Sequence, residues 1–448
     1  MEKKTWNPPH LRPVQILAGS FALLIITGAI LLYLPFSQTD GTRTGFLDCL
    51  FTSTSAVCVT GLVVVDTSAV WTRAGQVVIL LLIQFGGIGI VSFGALFALL
   101  LGQKINFRQR QLVQEQFGQS TVVSLFQLLP VIAGTTIVIE FLGALILAPG
   151  FIKDHGLSDG AWHSVFHSIS AFCNAGFSTF PNNLESYTGN FIVNAVICSL
   201  IVLGGLGFPV IAELLDRKHG RRRMSLHARV VLTATAILIA AGAVLIFLVE
   251  TFFNPEFTAM PLGSRVLGSI FQSVTARTAG YNTLAIGRMA PASLLVLLVL
   301  MFVGGSPSGT AGGIKTTTLV SALAAIKASL QGSVETNLMG RRLSRYTSRK
   351  ALVLILLAAM LILAALFMML LTGKNEGSDV LALSFELVSA FGTVGLSTGI
   401  TPDLMPFQKV IVLSLMYIGR LGPMTFALAL ASPRVEQVKY PETELLIG

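Results

Sequence analysis

Four tetrapeptides end on glycine within largely apolar surroundings: Cys58-Val59-Thr60-Gly61, Cys173-Asn174-Ala175-Gly176, Arg277-Thr278-Ala279-Gly280 and Gly392-Thr393-Val394-Gly395. Their side chains share no charge and no coordinating type, which argues against a ring of side-chain ligands. What they share is the glycine, which lacks a Cβ and so tolerates backbone angles that turn successive carbonyls to one side. Inward-facing carbonyl oxygens can replace the hydration shell of a cation. The chemistry on offer is cation coordination by backbone, from Val59, Thr60, Gly61, Asn174, Ala175, Gly176, Thr278, Ala279, Gly280, Thr393, Val394 and Gly395. Arg277 is the awkward member. Its head is expected behind the strand in a polar contact, not in the path.

The spacing of these motifs defines the elements that must hold them. The glycines are 115, 104 and 115 residues apart, and the cores STSAVCVTGL, SISAFCNAGF, QSVTARTAGY and LVSAFGTVGL align without gaps. A second motif follows each: FGGIG from Phe85, LGGLG from Leu203, VGGSP from Val303 and IGRLG from Ile418. Each repeat is an apolar span, a short segment ending at the glycine, and a second span. The first spans run near Val14 to Pro35, Phe126 to Leu147, Val230 to Leu248 and Ala351 to Leu371. The second run near Val70 to Leu101, Asn190 to Leu215, Pro291 to Lys327 and Pro406 to Ala431. The short segments, at about 12 to 15 residues, fall below the roughly 20 needed to cross a bilayer and read as re-entrant helices. Such helices need a protein-lined cavity, because lipid leaves their ends unsatisfied.

Composition agrees: hydrophobic residues are 53% and charged residues 11%. The fold class expected is an all-α polytopic membrane protein, with four tandem span, pore-helix, span repeats around one central pore. That makes eight transmembrane helices and four re-entrant pore helices. The expected boundaries are an N-terminal tail 1–13, repeat 1 at 14–101, a linker 102–125, repeat 2 at 126–215 and a linker 216–229. Repeat 3 follows at 230–327 with an irregular loop at 304–316, then a linker 328–350, repeat 4 at 351–431 and a C-terminal tail 432–448. The net charge of +9 gathers in the linkers and the N-terminal tail, at residues such as Lys104, Arg108, Arg221 to Arg223, Arg341, Arg342, Arg345 and Arg349. Acids such as Asp48, Asp66, Asp159, Glu185, Glu376 and Asp379 occupy the other connections. This positive-inside pattern puts both termini and the linkers in the cytoplasm. The cationic stretches are short and lack interleaved aromatics, which argues against nucleic acid. The first apolar run carries no small-residue cleavage site and reads as a retained span.

The third repeat alone is expected to break mid-span, through Gly304, Gly305, Ser306, Pro307, Ser308, Gly309, Thr310, Ala311, Gly312 and Gly313. Irregular backbone at that depth is tolerated where it lines a water-filled path, so the segment reads as a loop across the path. It is no phosphate-binding loop, since GxxxxGK[ST] fails at Ile314. Arg420 stands where the other repeats have glycine, and burying it costs at least about 2.5 to 3.5 kcal/mol. It is expected to face the path and to anchor the loop through carbonyls and hydroxyls. Lys315 is expected at the path or at the cytoplasmic mouth.

Other residues read more plainly. His163 and His167 share a helix face but lack a third ligand, and Cys49, Cys58, Cys173 and Cys198 form no metal-binding spacing. No structural or transition metal is expected. Glu140 and Glu250 read as interfacial residues near the outer ends of first spans. No Ser/His/Asp set or paired carboxylate supports catalysis, so the chain reads as no enzyme.

With CVTG, CNAG, RTAG and GTVG as single-glycine strands in four tandem units, the chain resembles the superfamily of K⁺ transporters that includes TrkH, KtrB and the plant HKT proteins. Its start at the first repeat and its short ending, VEQVKYPETELLIG, are closer to the KtrB branch. The resemblance implies a cell (inner) membrane homodimer with one pore per protomer, taking up K⁺ bound in the filter. It implies a cytosolic nucleotide-binding regulatory ring of the KtrA type, with nucleotide only on that partner. It also implies a gating role for the 304–316 loop with Lys315 and Arg420. Some HKT proteins that favour Na⁺ have serine at the first filter glycine, where this chain has Gly61. Membrane lipid is the other partner. An Na⁺ or mixed transporter of the same fold is one alternative; a secondary transporter of an organic solute is another, opposed by repeats that all run in one orientation.

Overall fold

The computed structural model describes residues 13–41, 43–89, 122–217, 224–333, 335–372 and 380–430. Lys104, Arg108, Arg221 to Arg223, Glu376, Asp379 and both tails lie outside these residues. Repeat 1 is α1 (Pro13–Tyr33), α2 (Phe46–Val57) and α3 (Arg73–Ile88). Repeat 2 is α4 (Val122–His155), α5 (Leu157–Phe172), α6 (Phe191–Leu206) and α7 (Phe208–Arg217). Repeat 3 is α8 (Leu226–Phe253), α9 (Leu262–Thr275), α10 (Pro291–Phe302) and α11 (Thr316–Leu330). A hairpin, β1 (Asn337–Leu338) and β2 (Arg341–Arg342), leads to repeat 4: α12 (Arg345–Thr372), α13 (Val380–Gly392), α14 (Pro406–Leu421) and α15 (Pro423–Leu430).

The first helix of every repeat, α1, α4 from Ile132, α8 and α12, is long and apolar enough to cross a membrane by itself. The second helices α2, α5, α9 and α13 have 12, 16, 14 and 13 residues. At 1.5 Å per residue they reach only about 18 to 24 Å, less than the ~30 Å hydrocarbon core. They are also unusually polar for helices inside such a protein. Thr52, Ser53, Thr54 and Ser55 of α2 are all buried. Thr52 and Thr54 donate to Asp48 O and Leu50 O of their own helix at 2.9 and 2.7 Å, so neither of these two hydroxyls is left unpaired.

One contact recurs between first and second helices. Ser53 donates to Ile25 O (2.7 Å), Ser168 to Glu140 O (2.6 Å) and Ser273 to Ile239 O (2.8 Å). Three residues beyond each accepting carbonyl stands Gly28, Gly143 or Gly242, where a Cβ would strike that serine hydroxyl. The glycine lets the short helix close on the long one, and the serine fastens it. Gly143 is thus no idle position: its Cβ would also lie 2.9 Å from Leu200 Cδ1. Gly143→Ser should destabilise the fold by about 1 to 3 kcal/mol through overpacking, read as a lower thermal midpoint in detergent. Gly134→Ser, with nothing within 4 Å of its Cβ, should leave that midpoint unchanged.

The interfacial reading of Glu140 and Glu250 is corrected. Glu140 is buried and accepts from Gln84 of α3 at 3.1 Å on both oxygens. Glu250 is buried and accepts from Asn254 Nδ2 (2.6 Å) and Ala290 N (3.0 Å), tying α8 to the start of α10. Both carboxyls are held by neighbouring segments, which sequence position alone does not reveal.

The second spans bring a larger correction. A break was expected in the third repeat alone, yet Gly89, Gly207 and Gly422, the last glycines of the other three motifs, adopt φ of 94°, 89° and 86° and end their helices. The helix beyond turns by 102° between α6 and α7 and by 97° between α14 and α15. The physical reason is general: a left-handed residue cannot continue a right-handed helix, and glycine takes that conformation without penalty. The third repeat lacks this last glycine and instead carries its loop. Ion pairs join neighbouring repeats: Lys409 to Asp48 at 2.8 Å, and Arg73 to Asp159.

Candidate functional site

The four motif strands leave the C-terminal ends of α2, α5, α9 and α13. Thr60 N donates to Ser55 O, Ala175 N to Ser170 O and Val394 N to Ser389 O, each at 2.8 Å, and Ala279 N to Thr275 O at 2.9 Å. Gly61 N and Gly395 N reach the hydroxyls of Ser55 and Ser389 at 3.0 and 3.1 Å. The N–H groups are therefore bonded backward into the short helices. The carbonyls of Thr60, Ala175, Ala279 and Val394 receive no donor from the described residues. Buried carbonyls are almost always paired, which sets these four, in register and without a donor among the described residues, apart from the rest.

Backbone angles explain the common direction. Gly61, Gly176, Gly280 and Gly395 have φ of 92°, 68°, 77° and 92°. Two residues earlier Val59, Asn174, Thr278 and Thr393 have φ of 56°, 59°, 77° and 51°. A positive φ at β-branched Val or Thr is an outlier, and three at one motif position, with Asn174 as the tolerant fourth, indicate strain imposed by the site. The sequence offers these residues for their carbonyls but gives no sign of their positive φ, because only glycine advertises it. The ring is closed by close approach. A Cβ on Gly61 would meet Ala175 O, on Gly176 Ala279 O, on Gly280 Val394 O and on Gly395 Thr60 O. Each strand's glycine makes room for the next strand's carbonyl.

Two of the motif side chains are turned to groups behind their strands. The Asn174 carboxamide faces Ala171 O and Ile201 O at 3.0 and 3.1 Å, and since carbonyls only accept, its nitrogen points to them. Arg277 is buried behind its strand among Ile201, Val202, Gly205, Thr235 and Val274. The expected polar contact is not made by its Nε, which has no partner among the described residues.

Outside the ring opens a vestibule of about 510 Å³. It is lined by the four glycines and by the segments after them, with Asp66 and Glu185 at its wall. On the opposite side the 304–315 segment lies against the strands: Gly312 touches the Thr393 side chain, and a Cβ on Gly313 would be 3.3 Å from Gly392 Cα. Because α6 stops at Leu206, its last carbonyls lack helical partners. The loop supplies them. Ser306 N donates to Gly205 O (2.9 Å) and Thr310 N to Gly204 O (3.2 Å), while Phe208 N returns a bond to Ser308 O (3.1 Å).

Arg420 holds the other flank. Its guanidinium donates to Thr310 O of the loop, to Gly86 O, and to Gly87 O at 3.1 Å, so a fourth-repeat side chain ties the loop to α3. Lys315 Nζ donates to Ala311 O at 2.6 Å and borders a cavity of about 140 Å³ beside Arg420 and Gly313. His163 and His167 bond Thr179 (2.7 Å) and Ser178 (3.0 Å), and no group of three or more metal-ligating residues forms among the described residues.

Four tandem repeats with converging carbonyl strands define a multi-pass membrane protein of the tandem pore-loop class. The model of the TrkH family, described as a cation transport protein, matches residues 6–439. The Ktr system potassium uptake protein B of Bacillus subtilis is 40% identical over 437 residues, covering 97% of each chain. The potassium/sodium uptake protein NtpJ of Enterococcus hirae is 38% identical over 449 residues, covering 98% of each. The crystal structure of the potassium transporter TrkH from Vibrio parahaemolyticus shares the fold, with a TM-score of 0.72 at 17% identity over 96% of this chain and 86% of that one. The chain belongs to the TrkH family of cation transport proteins.

Proposed function

We propose that this chain is the K⁺-translocating subunit of a K⁺ uptake system in the cell membrane. Its filter is the four carbonyl strands, and its gate is the 304–315 loop with Arg420. The observation that carries the reading is the ring of carbonyls from Thr60, Ala175, Ala279 and Val394, without a donor among the described residues while their own N–H groups are bonded backward. Cation coordination is the chemistry such a ring provides. The names of the relatives from Bacillus subtilis and Enterococcus hirae point to potassium uptake. A ligand that binds only the folded state raises stability by about 2.7 kcal/mol at a hundred times its dissociation constant. K⁺ and Rb⁺ should therefore raise the thermal midpoint of the purified protein above that in Li⁺ at equal ionic strength. Equal midpoints in all three salts would count against the ring as a K⁺ site.

The name of the Enterococcus hirae protein favours a second reading, in which Na⁺ is also cargo. Gly61 supports the K⁺ reading, as the resemblance to K⁺-selective relatives implies.

The protomer works as a homodimer under a cytosolic nucleotide-binding regulatory ring, with both termini cytoplasmic. The word "system" in the name of the Bacillus subtilis relative supports a separate regulator. So does the exposed hairpin before α12. Met339 and Gly340 have φ of 47° and 77°, the turn that suits a two-residue hairpin, and Arg341, Arg342 and Arg345 stand exposed on it and just beyond. An acidic partner surface would be steered to these arginines, with binding that weakens as salt rises. Changing all three to glutamate should cut capture of the regulator severalfold in a pull-down while membrane orientation is unchanged. Parental capture would remove this linker from the docking surface.

A further inference from the structure

Nine residues before its glycine, each short helix presents a different residue: Thr52, His167, Phe271 and Glu386. His167 and Glu386 are fully buried, and they belong to the second and fourth repeats, on opposite sides of the ring. Each reaches the residue two places beyond its own glycine. His167 Nδ1 faces His163 O at 2.8 Å; a carbonyl only accepts, so Nδ1 bears the hydrogen and Nε2 accepts from the Ser178 hydroxyl at 3.0 Å. Glu386 Oε1 takes the Ser397 hydroxyl and, at 3.2 Å, the Thr398 N–H, and Oε2 takes the Thr401 hydroxyl at 2.9 Å. In the first repeat Thr52 donates to its own helix, and its counterpart Val63 has no polar group.

Ser178, Ser397 and Thr401 line the vestibule, while His167 and Glu386 do not. The fourth strand is thus held at both ends. Ser389 fixes it from below through Val394 N and Gly395 N, and Glu386 fixes it from above through the segment that follows. Between those anchors a glycine at φ 92° has little intrinsic preference to hold its carbonyl in one direction. We propose that Glu386 and His167 are positioning residues for the outer mouth, orienting the carbonyls of Gly395 and Gly176 and thereby setting how tightly a cation is taken from outside. This rests on the filter reading above. It separates the outer mouth from the loop: losing the clamp changes affinity and preference, not the maximal rate.

Uptake of Rb⁺ by proteoliposomes, competed with K⁺ or Na⁺, tests it. Glu386→Gln leaves one accepting oxygen for three donors, and Ser397→Ala removes a donor while the buried glutamate stays, so folding and positioning can be told apart. Both should raise half-saturating K⁺ about tenfold, roughly the worth of one buried hydrogen bond, with the maximal rate within about twofold of the parent. Ser397→Thr keeps the hydroxyl and should restore parental values. The double variant should be no worse than the more affected single one, as expected for two partners in one bond. The inference is overturned if Glu386→Gln and Ser397→Ala both fold and keep parental half-saturation and preference while Gly176→Ser loses preference. Parental preference in Gly176→Ser as well would overturn the filter reading itself.

Discussion

Gly176→Ser is expected to abolish most of the preference for K⁺ over Na⁺. The backbone at Gly176 has φ 68°, which costs an ordinary residue about 1 to 2 kcal/mol. The larger effect is steric. A Cβ there would lie 2.6 Å from Ala279 O and 2.9 Å from Gly280 Cα, both backbone atoms of the neighbouring strand. Either the serine strand rotates or the third strand retreats, and in both cases the carbonyl ring loses its even spacing. Since 1.4 kcal/mol is tenfold in binding, a loss of tenfold or more in K⁺ over Na⁺ preference is expected in competed Rb⁺ uptake. Gly134→Ser, which meets no neighbour, is the matched control. Unchanged uptake at limiting K⁺ in the Gly176 variant would remove this strand from the coordination site.

Arg420→Ala should raise flux about tenfold or more while leaving the preference for K⁺ in place. The side chain donates to Thr310 O, Gly86 O and Gly87 O, and hydrogen bonds to charged groups are worth about 1.5 to 3 kcal/mol each. Without them the loop keeps its bonds to Gly204 and Gly205 of α6 but loses its tie to α3. Removing part of Ser306 to Gly313 should act in the same direction. Arg420→Lys separates the latch from the charge, because an ammonium keeps the charge but lacks the planar fork that reaches two segments at once. Raised flux in the lysine variant assigns the effect to the latch. Parental flux in both the alanine and the loop-shortened protein, with normal membrane insertion, would show that this segment is not the barrier.

The repeat architecture was legible because it is written in one-dimensional signals. Apolar length separates α1, α4, α8 and α12 from the short helices, and the four glycines recur at nearly constant spacing. The loop was legible for the same reason, since no continuous helix accommodates Ser306 to Gly313. What stayed hidden depends on neighbours distant in sequence. Val59, Asn174, Thr278 and Thr393 look unremarkable until their φ is known, because the strain they carry is imposed by four strands closing together. Gly89, Gly207 and Gly422 were visible as repeated residues, but a glycine in an apolar run signals packing as readily as a turn. The burial of Glu140 depends on Gln84, 56 residues away in the chain. Arg420 was conspicuous by its charge, whereas its partners Gly86 and Gly87 offer only backbone and so gave no signal.

The central claim, that the carbonyl ring selects K⁺, is tested most directly by parallel K⁺ and Na⁺ flux through the purified chain in liposomes, without any partner. The account predicts K⁺ and Rb⁺ fluxes that exceed Na⁺ flux, with that excess lost in Gly176→Ser and kept in Arg420→Ala. Na⁺ flux equal to or above Rb⁺ flux in the parent protein would contradict it.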